Sequence, residues 1–92
     1  ELITIYQEEA PKLLNEIRSA ICTRDGDRLR LAAHALKGSA GNFEASAVQD
    51  VAWHLEQCGR ANQWHEAEAE LAKLESLLSE MLTELAQLKQ VS

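Results

Sequence analysis

The run Leu29 to Phe43, LRLAAHALKGSAGNF, holds the side chains best suited to chemistry in this chain. At about 100° per residue, a helix over this run gathers Leu29, Ala33, Leu36, Ala40 and Phe43 within roughly 40° of one direction, which must be the buried face. His34 then points about 140° away, toward solvent. Its outer-face neighbours at helical spacing are Arg30 and Leu31 before it, and Lys37, Gly38 and Gly41 after it. An exposed imidazole of ordinary pKa, about 6.5, is largely neutral at neutral pH and keeps a nucleophilic ring nitrogen that can attack phosphorus. Lys37, one turn on, supplies a mobile cation for phosphoryl oxygens. Each helical glycine costs about 1 kcal/mol relative to alanine, so two beside one histidine need a compensating gain. Bare helix surface, on which another protein can approach the imidazole closely, is that gain.

Nothing nearby forms an autonomous catalyst. The chain has no Walker loop, no glycine-rich phosphate cradle after a strand, and no carboxylate cluster arranged for Mg²⁺. His34 therefore offers a nucleophile to chemistry organised by another protein. An incidental surface histidine would explain neither the glycines nor Lys37. His54, His65, Cys22 and Cys58 lack the i, i+4 or CxxC spacing of a zinc site, so no metal site is expected.

The elements that position His34 follow from helical periodicity. From Tyr6, apolar residues recur at Ala10, Leu13, Leu14, Ile17, Ala20 and Ile21, across Pro11, where a helix either kinks or gives way to a second one. Arg24-Asp25-Gly26-Asp27 interrupts the pattern, and Asp25 is placed to cap a second helix that runs to about Asn42. Asn42 to Ala45 form a short connection. Ser46 and Gln49 make a capping-box pattern ahead of a third helix with Val48, Val51, Ala52, Leu55 and Cys58 on its core side. Gly59 to Asn62 supply a stop. A long last helix follows, with Leu71, Leu74, Leu78, Met81 or Leu82, Leu85 and Leu88 on one stripe. Short connections make neighbours antiparallel, so the fold class is all-α: an up-down four-helix bundle with a short or kinked N-terminal helical extension. Residues 1–92 read as a single domain.

A formal net charge of -6 disfavours nucleic acid and anionic lipid as partners. No run of about 18 apolar residues and no signal-peptide pattern is present, so direct membrane contact is not expected. Cys22 and Cys58 read as small packing residues in a reducing compartment. Trp53 and Trp64 read as partly buried packing residues. The chain opens at Glu1 without an initiator methionine, which suggests a segment of a longer polypeptide.

Ala33-His34-Ala35-Leu36-Lys37-Gly38, with the residues up to Phe43, resembles the AHxLKG signature of histidine phosphotransfer domains. The likeness extends to Glu8-Glu9-Ala10-Pro11-Lys12-Leu13-Leu14, to Leu55-Glu56 and to the closing leucine-rich helix. It implies an antiparallel four-helix bundle with a phosphorylated His34 midway along the second helix, Lys37 as the cation near the phosphoryl group, and Gly38 as the bare spot. It further implies a phosphorelay intermediate: response-regulator receiver domains, each bringing an aspartate and Mg²⁺, charge and discharge His34. The domain would have no cofactor of its own and no kinase activity, would be monomeric, and would work in the cytoplasm as a carboxyl-terminal module of a hybrid sensor kinase that is itself anchored in a membrane or not. A variant of this reading has an ATP-binding domain phosphorylate His34 directly. The alternative is a helical adaptor that binds a receiver without accepting phosphate. Arg30, Leu31 and Gly41 are the expected docking residues, Leu31 foremost. Glu44 departs from the family's usual glycine after the motif's closing residue, which loosens the expected geometry of that connection.

Overall fold

The computed structural model describes residues 2–41 and 46–91, and the side chains of 7–41, 46–84 and 87. Four helices account for nearly all of them: α1 (Leu2–Thr23), α2 (Gly26–Gly41), α3 (Ser46–Ala61) and α4 (Trp64–Val91). Each packs on its neighbours in sequence and α1 closes the ring against α4, an antiparallel four-helix bundle with overall dimensions of 44 × 20 × 20 Å. The 28 residues of α4 span its full height, as about 1.5 Å of rise per residue requires.

The apolar stripes meet in one core. Ile17, Leu29, Leu36, Leu55, Leu74 and Leu78 are its largest fully buried side chains, and Ala10, Ala20, Ala33, Ala40, Ala52 and Ala67 are fully buried among them. Leu13, Leu14, Leu71, Met81 and Leu82 pack at its edge. Phe43 and the connection through Asn42, Glu44 and Ala45 lie outside the described residues, as do the side chains of Tyr6, Leu85 and Leu88.

Local structure refines the sequence reading at three points. First, α1 runs unbroken through Pro11, so the expected extension is part of the first bundle helix. Proline removes one backbone donor, but Ala10 just before it and Ile17 after it are both fully buried in the same core, which holds them in one element. Second, α3 runs through Gly59 and stops at Ala61, inside the expected Gly59–Asn62 segment. Helices α1 and α3 end on Arg24 and Asn62, both in the left-handed region (φ 57° and 56°). In each case the following amide closes the end, Asp25 N–H donating to the Ala20 carbonyl at 2.9 Å and Gln63 N–H to Cys58 at 3.0 Å. Third, Cys22 is exposed, whereas Cys58 is buried as expected. The Asp25 cap is present, its Oδ1 accepting from the Arg28 N–H at 3.1 Å.

Gly59 is used for helix approach. A Cβ there would stand 2.7 Å from the Gly26 carbonyl oxygen and 2.9 Å from the Arg30 nitrogen, both backbone atoms that no rotamer can move aside. This contact presses the start of α2 onto the end of α3. Gly59→Ala is therefore expected to destabilise the bundle despite alanine's better helix propensity, by about 2 kcal/mol, lowering Tm by roughly 10 °C. A thermal melt followed by circular dichroism checks this, and an unchanged or raised Tm would contradict the close approach.

Candidate functional site

Helix α2 presents His34 outward, with 65% of its side chain exposed, as the helical phase required. On the opposite face of the same helix Leu29, Ala33, Leu36 and Ala40 are fully buried, so the ring cannot turn inward without unpacking the core. A Cβ built on Gly38 meets nothing within 4 Å. Leu31, on the same outer side, is 60% exposed. Gly41 is exposed but less open: a Cβ there would meet the Gln49 side-chain nitrogen at 2.9 Å. Arg30 is half-buried in a polar cleft with Asp27, Gly59 and Arg60, near the turn end of the bundle.

The residue that organises the site is Glu56 of α3. It is only 4% exposed, the single buried charged side chain among the described residues. Its Oε1 accepts from Lys37 Nζ at 2.9 Å and stands 3.4 Å from His34 Nδ1, while Oε2 accepts from the Arg60 guanidinium at 3.2 Å. Burial pushes the Glu56 carboxyl up, but the hydrogen bonds from Lys37, Arg60 and His34, with the Lys37 charge, outweigh it and hold the group at about 2. At neutral pH it is a carboxylate, which can only accept hydrogen bonds. The contact with His34 is then a hydrogen bond only if Nδ1 carries the proton, which leaves the lone pair on Nε2. A buried anion thus favours one tautomer of an exposed imidazole.

Lys37 was expected to be exposed and mobile. It is half-buried instead, tied to Glu56, with its own carbonyl accepting from the Gln49 side chain at 3.5 Å. A cation held this way stands beside the imidazole, on the same carboxylate oxygen. Sequence reasoning had Glu56 only as part of the Leu55-Glu56 resemblance and gave it no role. The available signal was its place one turn from Ala52 and Gly59 along the side of α3 that meets α2, where a carboxylate must find partners or lose its charge.

Over residues 1–90 the chain matches the Hpt domain family. The chain belongs to that family. No curated protein and no solved structure matched the chain. The Hpt domain is a histidine phosphotransfer module of two-component phosphorelays, and Hpt domains interact with receiver domains. Among the described residues, no three of His, Cys, Asp and Glu stand where they could together hold a metal ion, and no helix is long and apolar enough to cross a membrane.

Proposed function

We propose that His34 of this Hpt domain takes a phosphoryl group from the aspartyl phosphate of one receiver domain and gives it to the aspartate of another. The observation that carries this reading is an exposed imidazole whose Nδ1 faces a buried carboxylate, leaving Nε2 free beside the open surface at Gly38. In the transfer, the Nε2 lone pair forms the new N–P bond as the P–O bond to the receiver aspartate breaks, and that aspartate leaves as a carboxylate. The ring proton stays on Nδ1, so the product is a phosphoimidazolium whose positive charge Glu56 offsets. Lys37 lies within reach to pair with the phosphoryl oxygens. Mg²⁺ belongs to the receiver, which supplies the acidic ligands for it.

The adaptor reading is the weaker one, because a domain that merely bound a receiver would have no use for a tautomer-selecting carboxylate. The test is to charge a panel of receiver domains with acetyl phosphate, mix each with the chain, and map the modified residue. Label on His34 that is lost in acid and kept in alkali supports the proposal, and label elsewhere or none from any receiver refutes it.

Close approach at Gly38 has its own test. Gly38→Arg has open space for the new side chain, so the fold should survive with Tm within a few degrees. Transfer from a phosphorylated receiver should fall by about 100-fold or more, because the guanidinium occupies the surface the partner must reach. Retained transfer at the unaltered rate would end the close-approach argument.

A further inference from the structure

Trp53 is the one large aromatic side chain among the described residues that stands well out in solvent, 48% exposed on α3. Its ring meets His54 edge-on, centroids 5.3 Å apart. Two contacts fix its place relative to His34. Gly26 lies against Gly59 and Gly41 against Gln49, which sets the antiparallel register of α2 and α3. Between those contacts, residue 53 falls at the height of residue 34. Helical phase puts Trp53 on the same side of α3 as Glu56 and Arg60, one and two turns further on. The indole therefore flanks the His34 site across the α2–α3 seam, one helix over, where the axes of packed helices lie about 8–10 Å apart.

We infer that Trp53 is a docking anchor for the receiver domain, seated in an apolar depression beside the receiver's phosphorylated aspartate. This rests on the reading of His34 proposed above. Three observations support that occupant. The first is continuity: even a small transient interface of about 500 Å² per partner is a patch roughly 13 Å in radius, so a partner centred on His34 covers Trp53. The second is charge. On the α2–α3 pair, with Arg28 turned to Glu16 of α1, Arg30, Lys37 and Arg60 balance Asp27, Asp50 and Glu56, whereas α4 alone carries six glutamates against two lysines. The acidic chain thus turns its least acidic side toward a partner whose reacting centre is a cluster of carboxylates. The third is the residue type: tryptophan is enriched among the few side chains that carry most of an interface's binding energy, and Leu31, 60% exposed on the far side of His34, supplies a second apolar contact.

The experiment uses the whole chain, with the receiver that charges it fastest from the panel as probe, and phosphoramidate as a second donor too small to need docking. In Trp53→Ala, kcat/KM for transfer from the phosphorylated receiver is expected to fall about tenfold or more, carried by KM, while labelling of His34 by phosphoramidate keeps its rate. Trp53→Phe should recover most of the loss. Unchanged KM in Trp53→Ala overturns the inference. So does an equal slowing with phosphoramidate, which would place Trp53 in the chemistry or the fold. Sedimentation as a dimer that Trp53→Ala disperses, with transfer unaltered, would assign the indole to a second copy of the chain and also overturn it. Failure of the proposed function itself is distinguishable, because it appears in the unaltered chain, where no receiver would place label on His34.

Discussion

His34→Gln is expected to fold as the unaltered chain does and to accept no phosphoryl group at all. The side chain is 65% exposed, and its contact with Glu56 is 3.4 Å long. An amide at that position can still donate to the buried carboxylate. Stability should therefore change by no more than about 0.5 kcal/mol, as for ordinary surface substitutions. The proposed chemistry, by contrast, loses the nitrogen assigned to attack, since an amide nitrogen has its lone pair delocalised into the carbonyl and does not attack phosphorus. The measurement is incorporation of radiolabel from a phosphorylated receiver, read beside a thermal melt of each protein. Label on the variant equal to that on the unaltered chain would place the acceptor elsewhere and dismantle the site described here.

Glu56→Gln should produce the second largest effect, and on two observables. Transfer is expected to slow by about 10- to 100-fold, because the neutral amide neither selects one imidazole tautomer nor offsets the imidazolium that forms. An amide can accept from Nδ1–H or donate to a bare Nδ1, so both tautomers become available. Stability changes as well. The Glu56 carboxyl lies at about 2 in the folded chain against an ordinary 4.5. A carboxyl lowered on folding stabilises the fold above its unfolded pKa, and that contribution disappears as pH falls from about 4.5 toward about 2. Its size is on the order of 3 kcal/mol. Denaturant titrations across that window should show a steep acid limb for the unaltered chain and a flatter one for the variant. Parallel limbs would mean that Glu56 is not held as described. The amide would also set its own NH₂ against the Arg60 guanidinium or Lys37, so the variant should be less stable at neutral pH by a few kcal/mol.

The two substitutions separate two kinds of contribution. In the proposed transfer His34 would act through a bond it forms, and Glu56 through the proton it keeps in place. Lys37 belongs between them: it satisfies the buried carboxylate in the resting domain and, by the same proposal, would turn to the phosphoryl oxygens. Arg60, on the other carboxylate oxygen, remains to keep Glu56 paired when Lys37 turns away.

Much of this was readable from residue order, and for one reason: a helix has a fixed period. The spacing of Leu29, Ala33, Leu36 and Ala40 decides by itself that His34 faces solvent and that Gly38 bares the surface beside it. The same periodicity marks the buried sides of α1 and α3 and the leucine stripe of α4. The stop between Gly59 and Asn62 was legible too, but the second use of Gly59 was not. Only the neighbouring backbone of Gly26 and Arg30 reveals that its missing Cβ makes room for another helix. Arg24 and Asn62 then take the left-handed positions that a reader of local patterns assigns to glycine.

The sequence alone therefore determined the four amphipathic helices, the outward histidine, the bare glycine beside it and the lysine one turn away, since each depends on spacing within one helix. Which residue of α3 lies under the imidazole, and that Trp53 stands level with it, was decided only by tertiary structure. Helical phase states which way a side chain points, whereas the partner it meets depends on the rotation and register of two helices. Those are set jointly by the Gly26–Gly59 approach and by the packing of the whole core.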